Sequence, residues 1–158
     1  MIADLCYLLL GLVLSPFFLY KMLTAGKYRE GLAQRLGKIA PRAGDAPLIW
    51  LHGVSVGEVL ASRSLVAGLT REYPGYDWAI STTTRTGYRV AKKHFPDRRV
   101  IYFPLDFSWV VKRFFRALRP RLVILMELEV WPNFLSQAHR EGVPVAVLNG
   151  RISGRSWR

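Results

Sequence analysis

The sequence predicts a parallel α/β fold, a sheet flanked by helices, and three observations carry that expectation. From residue 48 onward, apolar runs of strand length alternate with stretches of helical period, the rhythm of βαβ units. Helix-boundary signals fall where this rhythm needs them. Ser55 to Glu58 reads as a capping box, Pro132 suits the first turn of a helix, and Gly142 suits the position just past its end. The length, 158 residues, suits one domain with a real core and is too short for two full nucleotide-binding domains.

Taken in order, the chain opens with an apolar segment. Residues 5–20 carry no charge between Asp4 and Lys21 and are rich in Leu and Phe, slightly under the roughly 20 residues of a spanning helix, with Pro16 inside. Crossing a membrane and lying in one leaflet both fit. A cleaved signal peptide fits poorly, because no Lys or Arg precedes the apolar run and no small-x-small site follows it. Residues 1–23 are therefore expected to be an uncleaved anchor. Lys21, Lys27, Arg29, Arg35, Lys38 and Arg42 follow, against Glu30 and Asp45. That asymmetry keeps the domain after a single amino-terminal anchor in the inner membrane on the cytoplasmic side, and the same residues suit anionic lipid.

Residues 24–47 read as a basic juxtamembrane helix, Tyr28 to Ile39, and a Pro, Gly and Ala linker from Ala40 to Pro47. The domain proper spans 48–158. Strands are expected near 48–52, 78–82, 99–103, 121–126 and 143–148, and helices near 57–72, 86–94, 107–118 and 132–141. Residues 149–158 carry three arginines where another helix is expected. Either this tail folds back on the sheet or the sequence is the leading portion of something longer.

Composition bounds the function. Twenty-three Lys and Arg against 11 Asp and Glu give a net charge of +12, which favours anionic partners: nucleic acid, phospholipid headgroups or a phosphorylated substrate. The single cysteine, Cys6, excludes an internal disulfide and a Cys-rich zinc site, and His52, His94 and His139 have no metal-ligand spacing. No metal site is expected.

Leu48 to Glu58, LIWLHGVSVGE, runs an apolar strand into a glycine-bracketed turn and places a carboxylate at the start of a helix. In open α/β sheets the reactive groups gather outside the carboxyl ends of the strands, so Glu58 is a candidate catalytic base. The same letters also spell a helix cap that catalyses nothing. Glu127 and Glu129 follow the fourth strand, and if the extended conformation persists the period of two puts them on one side of the same edge. They could equally serve the positive end of the helix beginning near Pro132. Ser81 to Gly87, STTTRTG, offers hydroxyls, Arg85 and helix-start N–H groups suited to an anion or sugar hydroxyls, and it is not a P-loop. From Arg85 to Arg121 the excess of Lys and Arg suggests a surface that meets phosphate. Phe103, Phe107, Trp109 and Phe114 read as packing residues rather than base-stacking platforms.

The ordered set HGVSVGE (His52 to Glu58), STTTRTG (Ser81 to Gly87), YFPLD (Tyr102 to Asp106), RPRLVILMELEVWPN (Arg119 to Asn133) and NGRIS (Asn149 to Ser153) resembles the Kdo transferases. These lipopolysaccharide enzymes attach 3-deoxy-D-manno-octulosonic acid (Kdo) to a lipid A precursor. The resemblance implies the amino-terminal, acceptor-binding Rossmann-like half of a GT-B glycosyltransferase. It also implies an inverting reaction with CMP-Kdo as donor, held by a carboxyl-terminal domain, and no cofactor or metal. Carried over by motif, Glu58 is the general base and Glu127 assists the transition state. Acceptor binding is assigned to Ser55, Gly57, Thr83, Thr84, Arg85, Glu129, Asn149 and Arg151. The expected partners are a lipid A precursor (lipid IVA) and anionic membrane lipid, not nucleic acid, and a 158-residue chain alone is expected to be inactive as a transferase. Two other readings stand beside this one. A non-catalytic, membrane-anchored basic module binding anionic lipid or glycolipid would leave Glu58 dispensable, and a nucleic-acid-binding domain rests on charge alone.

Overall fold

The computed structural model of the chain describes residues 2–25, 30–127 and 129–148. Five strands, β1 (Leu48–His52), β2 (Asp77–Thr82), β3 (Arg99–Tyr102), β4 (Pro120–Leu125) and β5 (Val145–Val147), form one sheet. The strand order is β3-β2-β1-β4-β5 and every pairing is parallel. Parallel neighbours need crossovers, supplied by α3 (Val56–Glu72), α4 (Arg85–His94), α5 (Ser108–Leu118) and α6 (Pro132–Arg140). The expected strands and helices are therefore present, with ends shifted by one or two residues. The chain reverses its direction of travel across the sheet between β1 and β4, and ligands of such sheets bind in the crevice at that switch point.

The strands alternate between two cores, which is why they read as continuous apolar runs. Leu48 and Trp50 face a cluster with Phe103, Phe114, Phe115 and Phe134, under α5 and α6. Ile49 and Leu51 face the other, with Val59, Ile80, Ala91 and Ile124, under α3 and α4. Trp50 stands at the centre of the first cluster, with ring centroids 5.0 Å from Phe134, 5.6 Å from Phe115, 5.9 Å from Phe103 and 6.0 Å from Phe114. On α5 the apolar residues Val111, Phe115 and Leu118 are buried and Lys112, Arg113 and Arg116 are exposed, so the basic face is turned to solvent. Trp109 departs from the packing role expected of it. It is exposed and stacks on Phe107 at 4.7 Å.

The juxtamembrane helix is shorter than its pattern suggests. Among the described residues of this segment only α2 (Leu32–Arg35) is helical, because Gly31 (φ 74°) and Gly37 (φ 97°) turn the chain left-handed on either side of that single turn. Gly31 is required twice over, since a Cβ there would lie 2.1 Å from the Tyr102 ring. The segment packs on the domain: Gln34 Oε1 accepts from Tyr102 N at 2.6 Å, and the Arg35 guanidinium lies 4.5 Å over the Tyr102 ring. Arg42 pairs with Asp77 at 3.2 Å. Two of the basic residues expected against lipid are thus held by the protein itself, while Lys27 and Arg29 lie outside the described residues.

The apolar amino terminus forms α1 (Ile2–Ala25), with Pro16 inside. Among the described residues no helix is long and apolar enough to cross a membrane, so the crossing form of the expected anchor finds no support. The uncharged stretch is simply short for the hydrocarbon thickness. What α1 does show is exposed apolar surface at Leu5, Leu8, Leu9, Leu12 and Val13. Its first turn is docked: Asp4 Oδ1 accepts from Ser108 N at 2.8 Å and from Asn133 Nδ2 at 3.1 Å, and the Tyr7 hydroxyl donates to Asp106 Oδ2 at 3.0 Å.

Candidate active site

The turn after β1 and the turn after β4 meet at the switch point, and the candidate carboxylates lie on them. Ser55 caps α3 with extended backbone, and the full capping box is present. Glu58 N donates to Ser55 Oγ at 3.3 Å, while Glu58 Oε1 accepts from Ser55 N at 3.1 Å and Ser55 Oγ at 2.5 Å. Glu58 Oε2 accepts from Val54 N at 2.8 Å. A carboxylate offers about four acceptor sites. Three are filled here, which leaves one, on Oε2, for a further donor. The cap and the base are therefore compatible in one side chain. Gly57 is exposed beside it, and a Cβ there would meet only Ser55 Oγ, at 3.7 Å.

The STTTRTG loop is tied directly to this turn. Thr82, Thr83 and Thr84 all aim their hydroxyls at the Val54 carbonyl, at 2.9, 3.4 and 3.3 Å. One carbonyl has two lone pairs, so Thr83 and Thr84 share what Thr82 leaves. Thr84 also caps α4 by accepting from Gly87 N at 3.0 Å. Gly87 must be glycine, because a Cβ would stand 2.5 Å from Thr82 Oγ1 and 2.7 Å from Thr84 Oγ1. Arg85 points to the surface and pairs with Glu30 at 2.5 Å.

Glu127 and Glu129 do not share a side in the way a continued strand would place them. The extended conformation stops at Leu125, since Met126 and Glu127 form a bend. Glu127 is exposed at the rim, whereas Glu129 turns inward. Glu129 Oε2 accepts from Trp131 Nε1 at 3.0 Å and lies 3.1 Å from His52 Nε2, close enough for charge attraction though not aligned as a hydrogen bond. His52 is buried and stacks on Phe103 at 3.8 Å, with Nδ1 3.0 Å from Ser81 Oγ. Ser81 Oγ accepts from Trp50 Nε1 at 2.8 Å and keeps its own proton to give. That proton has the Leu51 carbonyl within reach at 3.3 Å, and His52 Nδ1 also lies 3.1 Å from the Ser81 carbonyl.

Burial pushes the Glu129 carboxyl up, but His52 and Trp131 outweigh it and hold the group below the ordinary carboxylate range. A depressed folded pKa stabilises the fold above the unfolded value, about 4.3, and that stabilisation is lost as pH falls through the folded pKa. Glu129→Gln is accordingly expected to lower stability at pH 7 and to converge on the parent only at a pH well below the ordinary carboxylate range, under the folded pKa, measured by urea unfolding at the two extremes. Equal losses at both pH values would mean that the carboxylate's charge plays no part.

Some site residues carried no signal in the sequence analysis. His52 stood out only as a histidine without metal spacing, although a polar residue closing the strand LIWLH was visible. Asp106, at the end of YFPLD, caps α6 with both oxygens, accepting from Asn133 N at 3.0 Å and Phe134 N at 2.8 Å. Asn149 and Arg151 lie outside the described residues. Among the described residues no group of three or more His, Cys, Asp or Glu is placed to hold a metal ion.

The fold and rim define a doubly wound α/β domain with carboxylates on the carboxyl-terminal edge of its sheet, beside the switch point. Residues 30–158 match the family described as 3-deoxy-D-manno-octulosonic-acid transferase (kdotransferase), and the chain belongs to that family. A 3-deoxy-D-manno-octulosonic acid transferase of Chlamydia pneumoniae is 41% identical over 87% of this chain and 32% of its own length. Its counterpart in Chlamydophila psittaci is 34% identical over 97% and 36%, and that of Haemophilus influenzae 37% over 82% and 31%. The chain thus spans about a third of the length of these curated relatives. A solved structure described as DszA carbon methyltransferase is similar at 17% identity with a TM-score of 0.45, over 86% of this chain and 33% of that one, too distant a likeness to bear on function.

Proposed function

We propose that this chain is the acceptor-binding, Rossmann-like half of a GT-B Kdo transferase that works in lipopolysaccharide biosynthesis. The observation that carries the reading is Glu58, held on the rim of the sheet by three hydrogen bonds with one acceptor site to spare. A sugar hydroxyl is a poor nucleophile near neutral pH, and a positioned carboxylate that takes its proton in the transition state contributes about 100- to 10,000-fold. Glu58 Oε2 receives the proton of the lipid A precursor's primary hydroxyl as that oxygen attacks the anomeric carbon of CMP-Kdo. The C–O bond to the phosphate of CMP breaks, CMP carries away the electron pair, and the configuration inverts. Glu127, exposed at the rim, assists the transition state. Ser55, Gly57, Thr83, Thr84, Arg85, Glu129, Asn149 and Arg151 bind the acceptor, and a second domain holds the donor.

The position of α1 supports an acceptor that sits in a membrane. Its first turn docks where α5 and α6 begin, on the same edge of the sheet as Glu58, so lipid that receives the exposed leucines also faces the reacting edge. Apolar around most of its circumference, α1 suits burial among lipid chains rather than at a half-wet interface. The positive charge after it favours the inner membrane's cytoplasmic surface.

The test is transfer itself. The enzyme, supplied with CMP-Kdo and a lipid A precursor, is expected to release CMP and to form a product whose anomeric configuration, read by NMR, is inverted. Retained configuration would remove Glu58 from the role of base. A protein that binds anionic vesicles but transfers nothing with its donor domain present would favour the non-catalytic lipid-binding module.

A further inference from the structure

Asp4 and Tyr7, three residues apart and so on one face of α1, reach residues 104 and 99 positions away in the chain, at the edge of the sheet that carries Glu58. Neither α5 nor α6 is capped by the side chain of its own N-cap residue, Phe107 or Trp131. Carboxylates from elsewhere take both places. Asp4 Oδ1 accepts from Ser108 N, the first N–H of α5, at 2.8 Å, and from Asn133 Nδ2 at 3.1 Å. Asp106 accepts from the Asn133 and Phe134 N–H groups at the start of α6 and from the Tyr7 hydroxyl, and the Tyr7 ring meets Phe107 edge-on at 5.9 Å. Asp4 is buried, so the first turn of α1 is built into the domain, yet Leu5 and Leu8 on either side of Tyr7 are 59% and 51% exposed. The apolar surface offered to lipid therefore begins at the dock itself.

Trp109 stands next to that dock, and core packing does not account for it. Its ring is 45% exposed and stacks at 4.7 Å on Phe107, the same ring that Tyr7 touches. Lys112, Arg113 and Arg116 follow it at three, four and seven residues, the spacing of one helical face, and all three are exposed. No acidic residue interrupts them, since α5 contains none. Along the helix axis they lie within about 10 Å of Trp109, no farther than the screening length at moderate salt. An amphipathic indole at the lipid end of a stripe of cations matches the boundary of an anionic bilayer, where indoles settle at the level of the headgroups and cations meet their charge. We propose, on the strength of a membrane-embedded acceptor but not of Kdo transfer, that Asp4 and Tyr7 latch α1 to the start of α5. The latch seats Trp109 and the cations behind it on an anionic bilayer surface and holds the Glu58 edge toward the membrane. Asp4 and Tyr7 are thus positioning residues, acting through the orientation of the domain.

The experiment offers the purified protein vesicles of phosphatidylglycerol and phosphatidylcholine, the latter brominated either high in its acyl chains or near their ends. Trp109 fluorescence is taken as the difference between the parent and Trp109→Phe. The expected result is stronger quenching by the high bromines, whose depth matches an indole at the headgroup boundary. Asp4→Ala combined with Tyr7→Phe should still sediment with the vesicles, because the leucines of α1 are untouched. It should nevertheless lose at least about half of that quenching, since each hydrogen bond to an ionised carboxylate favours the docked state about tenfold or more. If the double variant loses its near-UV circular dichroism, Tyr7→Phe alone, which removes one hydroxyl, is read in its place. The readout needs neither donor nor product, so a failed latch and a failed transferase give different results. A vesicle-bound parent whose Trp109 is not quenched would assign the stripe to a protein partner or a second copy. A folded variant quenched like the parent would leave Asp4 and Tyr7 as helix-end contacts only, and either result overturns the proposal.

Discussion

Replacing Glu58 with glutamine is expected to lower Kdo transfer by roughly 100- to 10,000-fold in an enzyme that still folds and binds its acceptor. The amide keeps the length and shape of the side chain but cannot take the hydroxyl proton. It also carries a cost that the geometry makes visible. Both carboxylate oxygens accept from backbone N–H groups, of Val54 and Ser55, and a glutamine has one oxygen. Its NH₂ must face one of those donors, so a loss of about 1 kcal/mol of stability is expected, far too little to account for the rate. Circular dichroism and urea unfolding measure the second effect and product formation the first. Normal transfer by Glu58→Gln would leave the capping box as the side chain's whole purpose and send the search for the base to Glu127.

That experiment separates two readings that the sequence leaves superimposed. The motif Ser55 to Glu58 spells a cap whether or not it catalyses, and the folded chain has both the cap and an unfilled acceptor site on Oε2. The βαβ rhythm was legible because fully covered strands are uninterrupted apolar runs, and β1, β2 and β4 begin or end within a residue of the expected positions. What sequence could not reveal is tertiary. Gly31 and Gly37 cut the juxtamembrane helix to one turn because Gln34 and Arg35 are taken by Tyr102, more than sixty residues away in the chain. Glu129 leaves the side that an extended strand would give it because buried His52 and Trp131 draw it inward. The pull of Tyr102 on Gln34 and Arg35, and of His52 on Glu129, acts between residues far apart in the chain and leaves no mark on local spacing.

The largest expected loss of stability comes from Trp50→Ala, about 3–5 kcal/mol. The indole is fully buried against Phe103, Phe114, Phe115 and Phe134, so the surrounding rings, which come from different elements, cannot all collapse into the space it leaves. Its Nε1 also holds Ser81 Oγ, the group next to His52. For a domain of this size that loss corresponds to a fall in Tm of about 10 °C or more, measured by thermal unfolding. Trp50→Phe keeps a ring but not the N–H and should lose less. A near-parental Tm for the alanine variant would mean that the core under α5 and α6 does not bear the sheet.

The central claim is that this domain holds the acceptor and the base while the donor is held elsewhere, and one measurement addresses it directly. The purified 158-residue chain is offered a labelled lipid A precursor together with CMP-Kdo, and bound acceptor and product are read from the same sample. Positioning both reactants can supply about 7–11 kcal/mol, and without the donor site most of that is lost. The account predicts saturable acceptor binding, weakened by Arg85→Ala, with no product. Robust product from this chain, or no acceptor binding by a folded one, would contradict it.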